Sequence, residues 1–271
     1  MARANRHYIP GYVWHITHRC HKREFLLRFV RDRRQWLQWL FEGKKRFGTC
    51  ILNYAVTSNH IHLLVRDGQG LEVIPQTLQL IAGRMGQEYN QRKNRKGAFW
   101  EDRYHATAVE AGPHLVQCMV YIDMNMVRAG VVMHPSEWPF SGYNEIQNPR
   151  ERYGLIDHEN LMELLGIGRV EELKESYKGW VEELLAVQGW GRQTRWTESI
   201  AVGSKRFVED TKAALGIKAI GREVIEVIGE EGVYELREPE TPYSLNFSGQ
   251  NRHLRLPNTY FWNTSVSIPR S

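Results

Sequence analysis

The sequence predicts a mixed α/β (α+β) chain, with one mostly antiparallel sheet in its first half and a mainly helical C-terminal region. Three observations point there. In the first half, short runs rich in aromatic and β-branched residues alternate with longer stretches of helical period. Two of those runs, residues 50–57 and 60–65, are separated only by Ser58-Asn59, which has the spacing and chemistry of a tight antiparallel turn. Beyond residue 149 the periodic segments read mainly as helices.

Length and composition narrow the setting. A chain of 271 residues holds one large domain or two smaller ones. The expected division is a first domain at 1–148 and an accessory region at 149–271, joined by a linker at 149–155. No run of about 18 apolar residues exists, so no membrane span is expected. The basic start, Met1 to His7, has no apolar stretch after it and does not read as a secretory signal. Cys20, Cys50 and Cys118 are far apart, fit reduced thiols in a cytoplasm, and form no Cys-x-x-Cys zinc pattern. A cytoplasmic protein is therefore expected. Its charge is uneven. Residues 1–150 hold 21 Lys/Arg against 12 Asp/Glu, a net of +9, whereas residues 151–271 hold 15 against 19, a net of −4. A basic first half points to a polyanion, most simply nucleic acid. A basic solvated face with no partner is the alternative.

Taken in order, residues 12–17 read as the first strand. His15, His18 and His21 match no common structural zinc spacing, and strand alternation puts His15 and His18 on opposite faces. A polar strand end beside Arg19, Lys22 and Arg23, near a phosphate backbone, is expected there instead. Residues 31–46 set Trp36, Leu37, Trp39 and Leu40 against Arg33, Arg34, Lys44 and Lys45, an amphipathic helix stopped by Gly48. The hairpin follows. Residues 74–91 read as a second helix with Leu78, Ile81, Met85 and Tyr89 inside. Then comes the basic loop Arg92-Lys93-Asn94-Arg95-Lys96-Gly97, which runs into Phe99-Trp100 and on to Arg103. Cations that track phosphates beside rings that stack on bases suit a single-stranded nucleic acid. Residues 104–109 read as a strand and 113–128 as a third helix stopped by Gly130. The order strand, helix, strand, strand, helix, strand, helix resembles a ferredoxin-like sandwich. Further on, 159–165 and 169–187 read as helices and 202–208 opens another with Ser204 as its cap. Residues 223–228 and 233–236 are apolar segments of undecided type, and 239–271 reads as irregular. This region either packs over the first domain or contacts DNA through Lys205, Arg206 and Lys212.

The most chemistry lies in Asn59-His60-Ile61-His62-Leu63-Leu64-Val65. In a strand His60 and His62 share one face while Ile61, Leu63 and Val65 face a core. Two imidazoles side by side on a rigid strand make half a site for a divalent metal. Two hydrogen-bonded histidines half buried in a sheet would look the same. On the third helix Tyr121 and Asn125 are four residues apart and share a face, which Gln117 extends, whereas Asp123 points elsewhere. Asn125 can offer its amide oxygen as a third ligand to Mg²⁺ or Mn²⁺. Tyr121 then lies about 5–6 Å up the helix; a packed aromatic with a satisfied hydroxyl is its bland alternative.

The segments Thr57-Ser58-Asn59-His60-Ile61-His62-Leu63-Leu64-Val65, Phe99-Trp100-Glu101-Asp102-Arg103-Tyr104 and Tyr121-Ile122-Asp123-Met124-Asn125-Met126-Val127-Arg128-Ala129-Gly130-Val131-Val132 together resemble the REP-associated tyrosine transposases, members of the single-tyrosine His–hydrophobe–His endonucleases. The resemblance spans roughly residues 8–145. It implies a ferredoxin-like fold, His60, His62 and Asn125 as ligands of Mg²⁺ or Mn²⁺, Tyr121 as nucleophile, and single-stranded DNA folded into palindromic hairpins as substrate. Met126 stands where the family commonly has proline, which implies a less sharply bent helix. Some relatives are dimers that exchange the tyrosine helix; a monomer is expected here, with a dimer as the alternative.

The expected activity is nicking and strand transfer through a 5′-phosphotyrosine link. A replication initiator or relaxase would use the same residues but usually carries longer partner domains. A non-catalytic hairpin-binding regulator would keep the fold without turnover, and the intact set of His60, His62, Tyr121 and Asn125 argues against it. No Gly-rich phosphate loop appears, consistent with a reaction that needs no ATP.

Overall fold

The computed structural model describes residues 8–68, 70, 72–187 and 191–238. The basic start at 1–7 and the irregular tail expected at 239–271 lie outside the described residues. The first strand is β1 (Val13–Arg19), and a 3₁₀ turn, His21–Arg23, follows it. Helix α1 (Val30–Phe47) ends where Gly48 takes the left-handed conformation, φ 71°, that a residue with a Cβ adopts at a cost. β2 (Cys50–Val56) and β3 (His60–Arg66) form the expected hairpin, and α2 (Val73–Lys93) and β4 (His105–Val109) come next.

The four strands lie in the order β2-β3-β1-β4, all antiparallel. This is the ferredoxin-like arrangement that the element order anticipates. Helices α1 and α2 pack closely: a Cβ on Gly43 would sit 2.8 Å from the Thr77 methyl. They cover the sheet face that bears Ile16 and His18, because Trp100 stacks on His18 (centroids 4.0 Å apart) and donates its indole N–H to the α2 carbonyl of Ala82 at 3.2 Å.

The third helix is divided. Helix α3 (Pro113–Asp123) stops at Met124, and α4 (Asn125–Arg128) starts again. Met124 sits at φ −72°, ψ −2°, so the chain turns more tightly there without a proline. The single helix expected over 113–128 is thus two pieces, although the Met124 and Arg128 amides still reach the Val120 and Met124 carbonyls at 2.9 Å.

After a 3₁₀ turn (Pro135–Glu137) come α5 (Tyr143–Gln147), α6 (His158–Leu165), α7 (Val170–Ala186) and α8 (Arg195–Glu198). The expected linker is tied down. Lys44 donates to the carbonyls of Gly154 and Leu155 at 3.1 and 2.9 Å, and the Asp157 amide donates to Ile51 O at 2.7 Å.

The largest departure from expectation follows. Residues 202–203, expected inside a helix, belong to β5 (Ala201–Gly203), which pairs in parallel with β4. Ser204 then caps α9 (Lys205–Leu215) by accepting from the Phe207 amide at 3.3 Å. The two undecided segments are β6 (Glu223–Glu226) and β7 (Tyr234–Arg237). The sheet runs β2-β3-β1-β4-β5-β7-β6, seven strands, mostly antiparallel. The C-terminal region is mainly helical by length but contributes three strands to the sheet that carries His60 and His62. Its strands are three or four residues long, too short for periodicity to separate them from helix ends.

Candidate nucleic-acid processing site

The β1–β3 register sets the site. Thr17 lies opposite His62, Arg19 opposite His60 and His15 opposite Leu64. Partners across an antiparallel pair point the same way, so His15, Thr17, Arg19, His60 and His62 share one face. Tyr121, Asn125 and Trp196 pack onto it.

A chain of neutral groups crosses this face. The amide nitrogen of Asn125 lies 2.8 Å from Nε2 of His62, Nδ1 of His62 lies 2.9 Å from Nε2 of His15, and Nδ1 of His15 lies 2.8 Å from the carbonyl oxygen of Trp196. That carbonyl can only accept. His15 therefore donates from Nδ1 and accepts at Nε2, and His62 donates from Nδ1, which leaves the Nε2 lone pair of His62 toward Asn125. His60 is fixed in the same sense, with its Nδ1 2.7 Å from Asn59 Oδ1 and 2.9 Å from Thr57 Oγ1. Both Nε2 atoms are thus the open nitrogens.

Burial keeps these rings neutral. His15 is 0% and His62 1% exposed. Desolvation pushes His15 down to about 3 and His60 to about 4, with Arg19, Arg128 and Arg192 adding to the effect on His60. His62 is held well below its ordinary value, first by desolvation and then by His60 and His15. Neutral imidazoles with oriented lone pairs suit a divalent cation. Among the described residues no three His, Cys, Asp or Glu side chains are placed to hold an ion. The donor set on this face is instead two imidazoles and an amide, which becomes a ligand when its oxygen is turned inward.

Tyr121 is buried at 4% exposure, with its ring centroid 5.9 Å from that of His62 and 6.3 Å from that of His15. The Arg128 guanidinium lies over the ring at 3.9 Å. Burial raises the phenol's pKa, while Arg128 and then Arg192 lower it. Arg128 has no carboxylate partner among the described residues, so its charge is available to an anion beside the phenol. Gln117, expected to extend this face, is exposed. Asp123 points the other way, where it accepts from Asn53 Nδ2 at 3.1 Å and from the Tyr177 hydroxyl.

The remaining predicted contacts are dispersed. Arg19 sits on the site face, while Lys22 and Arg23 are exposed in the turn after β1. In the basic loop, Arg92 is ion-paired with buried Asp32, and Arg95 donates to Asn90 and Ala98 and pairs with Glu24 at 3.6 Å. Lys93 lies over the Phe29 ring at 5.2 Å; Lys96 and Arg103 are exposed. Trp100 is held between His18 and α2, as described above. Sequence reasoning missed His15, Trp196, Arg128, Arg192 and Asn59 as members or supports of the site. Only the Asn59 position, adjacent to His60, carried a local signal.

This is a His-x-His strand face closed by a tyrosine-bearing helix on an α/β sandwich. Residues 9–125 match the protein family described as "Transposase IS200 like". Two solved structures are similar in part. One is a REP-associated tyrosine transposase bound to a REP hairpin: 20% identical, TM-score 0.47, covering 58% of this chain and 94% of that one. The other is a candidate transposase from Deinococcus radiodurans R1: 17% identical, TM-score 0.32, covering 45% of this chain and 95% of that one. At these scores the likenesses carry no functional weight. No curated protein matches the chain. Among the described residues no helix is long and apolar enough to cross a membrane, and all three cysteines are free.

Proposed function

We propose that the protein is a metal-dependent single-stranded DNA endonuclease and strand transferase, a transposase that acts at hairpin-forming palindromic repeats through a 5′-phosphotyrosine link. The reading is carried by the convergence of His60, His62, Asn125 and Tyr121 on one sheet face, with Asn125 2.8 Å from His62 and the Tyr121 ring 5.9 Å from it. The match of residues 9–125 to the transposase family supports it.

His60 and His62 through Nε2, and Asn125 through its amide oxygen, would hold Mg²⁺ or Mn²⁺. Such an ion polarises the scissile phosphate. Tyr121 Oη attacks that phosphorus: the Oη–P bond forms, the P–O3′ bond breaks, the phenol proton passes to solvent, and the departing 3′-oxygen takes up a proton. Arg128 favours the phenolate, since a cation beside a phenol stabilises its charged form. A phosphodiester is exchanged for a phosphodiester, so a different 3′-hydroxyl can reverse the step and join strands without ATP. His15 acts through His62: it fixes the tautomer and leaves Nε2 open. A monomer suffices, because every group named belongs to one chain.

The test is a covalent-adduct assay. End-labelled hairpin DNA with single-stranded arms is incubated with the protein and Mg²⁺ or Mn²⁺, then run on a denaturing gel. A labelled protein band that requires the metal, His60 and Tyr121 is expected. DNA binding with no adduct across many hairpins would overturn the reading in favour of a non-catalytic regulator.

A further inference from the structure

Phe25 and Phe29 are large aromatic rings that the fold leaves in water, 65% and 54% exposed. The segment that carries them is not loose. Leu26 and Leu27, between them, are buried at 6% and 0%. The Leu27 amide donates to Ser58 O at 2.9 Å, the Cys20 amide to Asn59 O at 2.7 Å, and Arg33 donates to the carbonyls of Leu27 and Arg28 at 2.9 and 2.8 Å. Lys22 and Arg23 both take left-handed backbone, φ 51° and 58°, a strained conformation for side-chain-bearing residues. The fold holds two rings outward on a rigid support.

The surroundings are cationic. Lys22, Arg23, Arg28, Arg31 and Lys93 are exposed and have no ion-pair partner among the described residues, and Arg28 and Lys93 lie over the Phe29 ring at 5.9 and 5.2 Å. The nearby carboxylates are engaged, Glu24 with Arg95 and Asp32 with Arg92. One side chain joins this patch to the candidate site: Asn59 accepts from His60 Nδ1 at 2.7 Å and donates to Arg23 O at 3.3 Å. Of the rings expected to stack on bases, Phe99 is 3% exposed, and Trp100 is half-buried with one face stacked on His18.

We infer that Phe25 and Phe29 are a stacking platform for the single-stranded bases flanking the phosphate at the His60–His62–Asn125 face, with the five cations tracking the backbone. Exposed rings among unpaired cations are the chemistry of single-strand binding. A second copy of this chain, net +5, would set like charge against like on this patch. The inference rests on the reading of the site as DNA-nicking.

The test uses the full chain and a hairpin flanked by oligothymidine arms, each arm carrying one 5-iododeoxyuridine at a stepped position. Irradiation and peptide mapping should place the crosslink at Phe25 or Phe29. Phe25→Leu and Phe29→Leu, which keep apolar bulk but lose the ring, should each weaken binding to the arms about tenfold, whereas Phe25→Trp should keep it. The Tyr121 adduct should still form at saturating DNA in all three variants. Crosslinks mapping elsewhere, with affinities unchanged, would overturn the platform. So would leucine variants that keep DNA affinity but shift the mass in solution from dimer to monomer, which would make the patch a self-interface. An adduct without crosslinks at these rings defeats the platform alone; crosslinks at these rings without any Tyr121 adduct defeat the nuclease reading and leave the platform standing.

Discussion

Strand β3 has two faces of opposite use, and two neighbours of equal burial show the contrast. His62 and Leu63 are neighbours in sequence, each 1% exposed. Leu63, with Ile61 and Val65, loses water to apolar contact alone, and its contribution grows with area buried. His62 loses water on the other face, where burial alone would cost free energy; the hydrogen bonds to His15 and Asn125 offset it. The apolar face is tolerant of shape so long as volume is conserved. The polar face is a directed chain, from the Trp196 carbonyl to the Asn125 amide, in which each proton position dictates the next. A sheet face becomes a site when its burial is spent on orientation.

The most severe way to break that comparison is on the chemistry. Tyr121→Phe keeps the ring under Arg128 and beside His62 and removes only the hydroxyl. Adduct formation should vanish completely while thermal unfolding stays close to the parent. A residual adduct in this variant would place the nucleophile elsewhere.

Exchanging the two faces comes next. Leu63→Ala should cost about 2–5 kcal/mol of stability, as buried leucine truncations do, yet leave the adduct yield per folded molecule unchanged. His62→Gln should do the reverse, with adduct formation lost and a much smaller shift in the denaturation midpoint. Paired chemical denaturation and adduct measurements read both, and a similar activity loss in the two variants would erase the distinction between the faces.

His15→Phe sharpens the comparison within the polar face. It keeps a ring in place and removes both hydrogen bonds, so His62 loses the partner that fixes its tautomer. Loss of such a support typically weakens metal affinity about 10–100-fold. Titration with Mn²⁺ by electron spin resonance should show that weakening, and excess Mn²⁺ should restore the adduct rate. A purely structural role would lower stability without moving the Mn²⁺ affinity.

What was legible in the sequence follows from how local each signal is. The β2–β3 hairpin, α1 and α2 are written in periodicities a few residues long, and the His60–His62 pair needs only strand alternation. His15 needed the β1–β3 register, a pairing between residues 47 apart, and its link to Trp196 spans 181. No local pattern reports such contacts. Composition misled in the basic loop for a related reason: a cation in a sequence looks free, but Arg92 is taken up by Asp32, 60 residues away. The break at Met124 went unseen because methionine is a good helix former, and nothing local distinguishes a tightened turn from a continuous one.

The finest contrast lies within α3, between Tyr121, which faces the site, and Asp123, which faces Asn53 and Tyr177. Asp123 is 2% exposed, and burial raises its carboxyl to about 7 against the hydrogen bonds that pull it down. The folded pKa thus lies above the unfolded value of 3.8. Between those values the native state holds a proton that the unfolded chain releases, so this group's contribution to stability is fully present below pH 3.8 and is lost as pH rises through about 7. Asp123→Asn is neutral at every pH and close in shape. Its stability relative to the parent should rise between pH 5 and 8 by about 2–3 kcal/mol and level off above. The difference between the two proteins isolates Asp123, because the site histidines, which destabilise the fold as pH falls, titrate alike in both. A flat difference across that range would mean that Asn53 and Tyr177 hold the carboxylate charged, and that α3 is anchored by an ionised group behind its nucleophile.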